Sequence, residues 1–130
     1  MKKTFYIITF LLLISSNVYS HDWKHIETSE TDDEYYLDTE SVKKINGNVQ
    51  YWVMVNYSQM LGEIAYSAIA KLEGDCYFSE IRVLKDKYYS KKSGNGKIVS
   101  GSDKPDGEMQ AFPKDTMFGI VLKEACNLLN

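Results

Sequence analysis

The sequence predicts an α+β fold: an antiparallel β-sheet of about six strands with one C-terminal helix packed on it and held by a disulfide. Three observations predict it. Runs of alternating apolar residues fill the middle of the chain, separated by Gly, Asn and Asp turn signals. After Pro113 the apolar spacing changes from a strand period to a helical one. Two cysteines, Cys76 and Cys126, lie in a chain that begins with an export signal.

The export signal has three parts. Lys2 and Lys3 are followed by the apolar run Phe5–Ile14, then by Val18-Tyr19-Ser20, the small-x-small pattern of signal peptidase. The run is too short for a spanning helix, which needs about 20 apolar residues. No cysteine lies near the cleavage point, so no lipid anchor is expected. Removing residues 1–20 of the 130 leaves 110, the size of one domain over 21–130. Loss of Lys2 and Lys3 leaves 13 basic residues against 18 acidic, a net charge of −5. That sign disfavours a nucleic-acid partner. The mature part contains no transmembrane segment.

Asp22–Ile26 reads as the first strand, with Trp23 and Ile26 apolar. The acidic residues Glu27, Glu30, Asp32, Asp33 and Glu34 read as a solvated loop; they lack the glycine and spacing of a calcium loop. Tyr35–Leu37 and Val42–Ile45 are short strand candidates, and Asn46-Gly47 suits a type I′ turn. In Val49–Tyr57, Tyr51, Val53, Val55 and Tyr57 share one face and Trp52 and Met54 the other. Large apolar groups on both faces predict a central strand covered on both sides.

A turn at Gln59–Gly62 leads to Ile64–Leu72, where Ala68 and Ala70 leave room for close packing, such as a helix. Glu73-Gly74-Asp75 reads as a turn and Cys76–Lys85 as the next long strand, with Ile81 and Val83 opposite Phe78 and Leu84. Ser90–Gly96 reads as a loop, Lys97–Val99 as a final strand and Gly101–Gly107 as a loop. Pro113 fits just ahead of a helix capped by Asp115 or Thr116. Its apolar stripe is Phe118, Leu122, Ala125 and Leu129, with Cys126 adjoining. A Cys76–Cys126 bridge would pin that helix on the sheet. It closes a loop of about 50 residues, an entropic stabilisation of ~4 kcal/mol.

The residues carry no catalytic signature, and no cofactor is expected. A Ser or Cys nucleophile needs a base. The only histidines, His21 and His25, lie at the start of the mature part. Cleavage after Ser20 would make His21 N-terminal and able to chelate copper. Extended chain would hold His25 about 13 Å away, so no metal site is expected. Glu73 and Asp75 read as turn neighbours. The candidate partner-binding residues are Lys85, Lys87, Tyr88, Tyr89, Lys91, Lys92 and Lys97. They form a basic, aromatic patch in an acidic protein, able to dock an anionic polymer or an acidic protein segment.

The order of short motifs resembles the surface-adhesin protein E family of exported bacterial proteins. The elements are Trp23, Tyr35-Tyr36-Leu37-Asp38 with Ser41-Val42, and Val49-x-x-Trp52 ending in Asn56-Tyr57. They continue with Tyr66-Ser67, Glu73-x-Asp75-Cys76, Arg82-x-Leu84 with Tyr88-Tyr89-Ser90, and Pro113 before the helix bearing Cys126. The resemblance implies an antiparallel sheet with a disulfide-held C-terminal helix. It also implies host-protein binding, since the founding member is an adhesin for vitronectin and laminin. This chain differs from that member in having no lipid-attachment cysteine and no tryptophan in the segment before Pro113.

The sequence thus points to an exported, non-enzymatic binding module, adhesin-like, in the periplasm or at the cell surface. The alternative is a small periplasmic inhibitor or accessory protein of an envelope enzyme. The exported protein is expected to begin at His21. Intact mass measurement checks this, and a chain that retains Phe5–Ile14 would contradict it.

Overall fold

The computed structural model describes residues 21–130, so the export signal lies outside the described residues. In chain order the elements are β1 (Trp23–Thr28), β2 (Glu34–Asp38), a 3-10 turn (Thr39–Ser41), β3 (Lys43–Ile45) and β4 (Asn48–Leu61). They continue with β5 (Ala65–Asp75), β6 (Glu80–Tyr89), a second 3-10 turn (Lys92–Gly94), β7 (Ile98–Ser102), β8 (Gln110–Ala111) and the helix α1 (Met117–Asn127). The strands form one eight-stranded sheet, with six of them in the order β1-β2-β4-β5-β6-β7. Every pairing is antiparallel; the short β3 pairs with β4 and β8 with β6.

The alternation of β4 places it inside the sheet as expected, with Tyr51, Val53, Met54 and Val55 buried. Asn46 and Gly47 both have positive φ, 52° and 83°, which is what the tight β3–β4 turn requires. The helix begins where its cap allows: Thr116, rather than Asp115, accepts a hydrogen bond through Oγ1 from Gly119 N–H at 3.1 Å. Val121, Leu122 and Ala125 bury against Leu37, Val49, Tyr51, Val53, Leu72 and Ile81. Phe118 is partly buried beside them, while Leu129 lies past the helix and is exposed. Burying one leucine of this kind contributes about 1.5–3 kcal/mol.

Three boundaries differ from the sequence reading, each for a physical reason. The β4 strand runs on to Leu61, and the turn comes at Gly62, Glu63 and Ile64, where Gly62 and Glu63 take positive φ. Glu73-Gly74-Asp75 is not a turn but the end of β5, paired with Arg82, Ile81 and Glu80. The hairpin reverses one step later, over Cys76–Ser79, where Asp75 Oδ1 accepts from Tyr77 N–H and Phe78 N–H. Gly74 serves packing instead. A Cβ there would lie 2.3 Å from Leu122 Cδ1, so the absent side chain lets the helix approach the sheet. Lastly, Gly101 is in β7 rather than a loop: its missing Cβ lets β7 lie against β6, where a Cβ would stand 2.6 Å from the Asp86 carbonyl oxygen.

Cys76 and Cys126 are bonded across 50 residues of sequence, tying the end of α1 to the β5–β6 hairpin. Asp38, with 0% exposure, gathers the N-terminal segment. Its carboxylate accepts from the backbone N–H of Asp22 at 3.1 Å and of Glu40 at 3.2 Å, and lies 2.7 Å from His21 Nδ1. Its carbonyl accepts from Ser41 Oγ, which in turn accepts from Trp52 N–H at 3.0 Å.

Replacing both cysteines with serine is expected to lower stability by about 2–5 kcal/mol, read from urea midpoints, with no free thiol detectable in the oxidised native protein. Gly74→Ala should cost about 1–3 kcal/mol by overpacking against Leu122. Gly107→Ala, where a Cβ meets nothing within 4 Å, is the silent control.

Candidate functional site

The two faces of the sheet are treated differently. One carries the helix. On the other, called here the open face, β4 presents Trp52, Met54 and Asn56, and β5 presents Ser67, Ile69 and Lys71 beside them. What β6 adds depends on a bulge. Leu72 pairs with Val83 and Lys71 with Lys85, which leaves Leu84 without a partner. Before the bulge Ile81 and Val83 face the helix side with Leu72. After it the parity is exchanged, so Asp86 and Tyr88 face the helix side with Ala70 and Ala68, while Lys85, Lys87 and Tyr89 reach the open face.

The predicted partner-binding residues are therefore divided. Lys85, Lys87 and Tyr89 stand together on the open face. Tyr88 points to the other. Lys91 and Lys92 belong to a strap, residues 90–96, which folds back over one end of the open face. Ser67 Oγ donates to the Lys91 carbonyl at 2.6 Å and accepts from Gly94 N–H at 3.0 Å, and Asn56 Oδ1 accepts from Ser93 N–H at 2.7 Å. Lys97 follows the strap, exposed, its N–H bonded to Ser90 Oγ.

Beside the N-terminal segment the open face carries a hollow of about 220 Å³. Trp52, Ile69 and Tyr89 line it with His21, Lys85 and Lys87; Asp86 and Asp103 stand at its margin. Lys85 Nζ sits 5.1 Å from the Trp52 ring centroid, a cation–π contact. His21 stacks on Trp23 at 4.5 Å and meets Trp52 edge-on at 5.5 Å. By sequence His21 is only the first residue after the cleavage point. The buried Asp38 carboxylate instead holds it as one wall of the hollow. Nor did the sequence point to Trp52 or Lys71 as neighbours of the lysines, because that follows only from strand register.

The charges on this face are arranged unevenly. Glu73 and Arg82 form an ion pair, and the hydrogen bond from Arg82 holds the Glu73 carboxyl below its ordinary pKa. Lys71, Lys85 and Lys87 take part in none of the ion pairs among the described residues. His21 and Asp38 form the base-and-orienter half of a hydrolytic arrangement, but none of the residues lining the hollow is Ser, Thr or Cys. His25 is engaged elsewhere, with Nε2 2.8 Å from Thr28 Oγ1.

On the helix side a narrower groove of about 100 Å³ runs beside the start of α1, floored by Ala68 and Ala70 and walled by Phe112 and Phe118. The two alanines leave room, as expected, but two phenylalanines approach them and the helix packs further along, at Gly74. Burial raises the pKa of Tyr57 and Tyr88 at the mouth of this groove. A third feature is the β5–β6 hairpin tip, where Tyr77 and Phe78 are 85% and 66% exposed and meet edge-on at 4.8 Å. Phe78 is thus a tip residue rather than part of a strand.

Solved structures with this architecture exist. The structure of Haemophilus influenzae protein E matches with a TM-score of 0.60 at 18% identity, covering 81% of this chain and 83% of that one. A second crystal form of that protein matches with a TM-score of 0.58 at 20% identity, covering 72% and 80%. Protein E from non-typeable Haemophilus influenzae gives 0.58 at 18%, covering 86% and 79%. The comparison with curated proteins finds no match. Among the described residues no helix is long and apolar enough to cross a membrane. The family model for surface-adhesin protein E matches residues 23–127, and this chain belongs to that family.

Proposed function

We propose that this protein is an exported, non-enzymatic binding module that engages a host or envelope macromolecule through its open face. The observation that carries the reading is the group Lys71, Lys85 and Lys87, without ion-pair partners among the described residues and set around Trp52 on a face that the helix leaves uncovered. Positive charge steers encounter with an acidic partner, and aromatic rings give it area to hold. Membership of a surface-adhesin family supports the same role. Matrix and serum proteins such as vitronectin and laminin are the first partners to try. The strap lysines Lys91 and Lys92, with Lys97, extend the basic rim.

A second reading, an inhibitor or accessory protein of an envelope enzyme, is favoured by the hairpin tip. Tyr77 and Phe78 project from a turn that the Cys76–Cys126 bond and Asp75 hold in one conformation. A rigid apolar tip suits insertion into a cleft.

Surface plasmon resonance against immobilised vitronectin and laminin separates these readings. Lys85→Glu with Lys87→Glu is expected to slow association by about tenfold at low salt, and Lys91→Glu with Lys92→Glu by less, since rim charges act mainly on the on-rate. Tyr88→Ala, on the opposite face, should leave binding unchanged. If the oxidised protein captures neither ligand, nor any defined envelope protein, the module reading fails. If Tyr77→Ala and Phe78→Ala abolish binding and the lysine reversals do not, the tip is the docking element.

A further inference from the structure

We infer that the hollow over Trp52 is a subsite for a carboxylated sugar unit of an acidic polysaccharide. This deepens the binding role and rests on the open face being the docking surface. The first argument is electrostatic. Lys71 and Lys85 lie directly opposite each other across β5 and β6, and Lys87 follows Lys85 on the same face. Like charges at directly opposed sheet positions destabilise the fold, and none of the three takes part in an ion pair among the described residues. Lys85 and Lys87 line the hollow and Lys71 stands beside Lys85 outside its lining, so an anion held by Lys85 and Lys87 relieves that repulsion.

The second argument separates sugar from peptide. The walls are Trp52, Tyr89 and His21, rings whose faces match the C–H face of a pyranose. An aspartate or glutamate side chain has no ring to lay against them. The hollow, about 220 Å³, is smaller than the pockets of about 300–1,000 Å³ that take drug-sized ligands, and suits one ring at a time.

The third argument sets the charge density. Asp103 stands at the margin of the same hollow. Its carboxylate repels a second anion close to the first. A polymer with one carboxylate per repeat fits, and one with several sulfates or phosphates per repeat does not.

The test uses the exported, oxidised protein and a hyaluronan octasaccharide. Both tryptophans of the chain, Trp23 and Trp52, flank His21 at this hollow, so intrinsic emission reports on it directly. The octasaccharide is expected to change the emission saturably. Its carboxyl-reduced form should bind about tenfold or more weakly. Lys85→Gln with Lys87→Gln should produce a similar loss, and Lys114→Gln none. Added salt should weaken the interaction. Polyglutamate binding as tightly as the octasaccharide would overturn the sugar assignment in favour of an acidic peptide. Reduced and native oligosaccharides binding equally would overturn the role of the lysines. No emission change while vitronectin or laminin is still captured would overturn this inference alone. Capture of none of these ligands would remove the binding role on which it rests.

Discussion

One helix has to cover one face of a sheet much longer than itself. At 11 residues α1 is about 16 Å long, whereas the 14 residues of β4 extend about 47 Å. A single sheet is stable only when a second layer hides its apolar side. The rest of the architecture follows from that shortage. The helix is drawn tight at one end, where Gly74 admits Leu122 and the disulfide holds α1 to the β5–β6 hairpin. At the first turn of the helix the sheet uses small side chains, Ala68 and Ala70, beneath Phe112 and the helix's own Phe118. On the far side of the sheet the strap of residues 90–96 and the segment around His21 take the place of a second helix. The hollow lies beside the His21 segment, over Trp52, Ile69 and Tyr89.

The site is therefore a by-product of how the open face is incompletely covered, with one wall fixed by a buried polar group. Asp38 fixes that wall. It is fully buried, yet it accepts two backbone hydrogen bonds and holds the His21 ring, so its charge is solvated by protein. Ser67 and Asn56 hold the strap on the same face through hydrogen bonds. Buried Tyr51 shows the contrast: its hydroxyl has no partner among the described residues and points toward Gly74 and the helix. Arg82 Nε, on the open face, is likewise without a hydrogen-bond partner among the described residues. Residues 21–130 carry 13 basic and 18 acidic residues, and Lys71, Lys85 and Lys87 gather on the open face against that negative balance.

Much of the fold was legible in the residues because it rests on local rules. Alternation marked β4, Asn46-Gly47 marked the β3–β4 turn, and Thr116 with Pro113 marked the start of α1. Gly74 misled because a glycine between Glu and Asp looks the same whether it serves a turn or a close approach, and only the position of Leu122 decides. The basic patch was legible as a cluster along the chain. Its division was not. Tyr88 and Tyr89 are neighbours in sequence and must point to opposite faces of a strand, but which face each takes is set by the bulge at Leu84. Trp52, Lys71 and His21 join Lys85 through register and through a buried aspartate, and neither leaves a mark in any short window of sequence.

The bulge also bears on how distant relatives can be compared. A residue inserted into a strand ordinarily shifts the pairing, and the phase of the strand changes from that point onward. In β6 the extra residue, Leu84, is accommodated without moving the partners on either side, so it acts as a switch of parity. A homologue with one residue fewer here could keep every flanking residue type and the same backbone path. Its counterparts of Lys85, Lys87 and Tyr89 would then lie under the helix side, and those of Asp86 and Tyr88 on the open one. At the 18–20% identity that separates this chain from the solved structures, a one-residue gap in an alignment is easily placed two positions away. Surface properties transferred across such a gap would be assigned to the wrong side of the sheet.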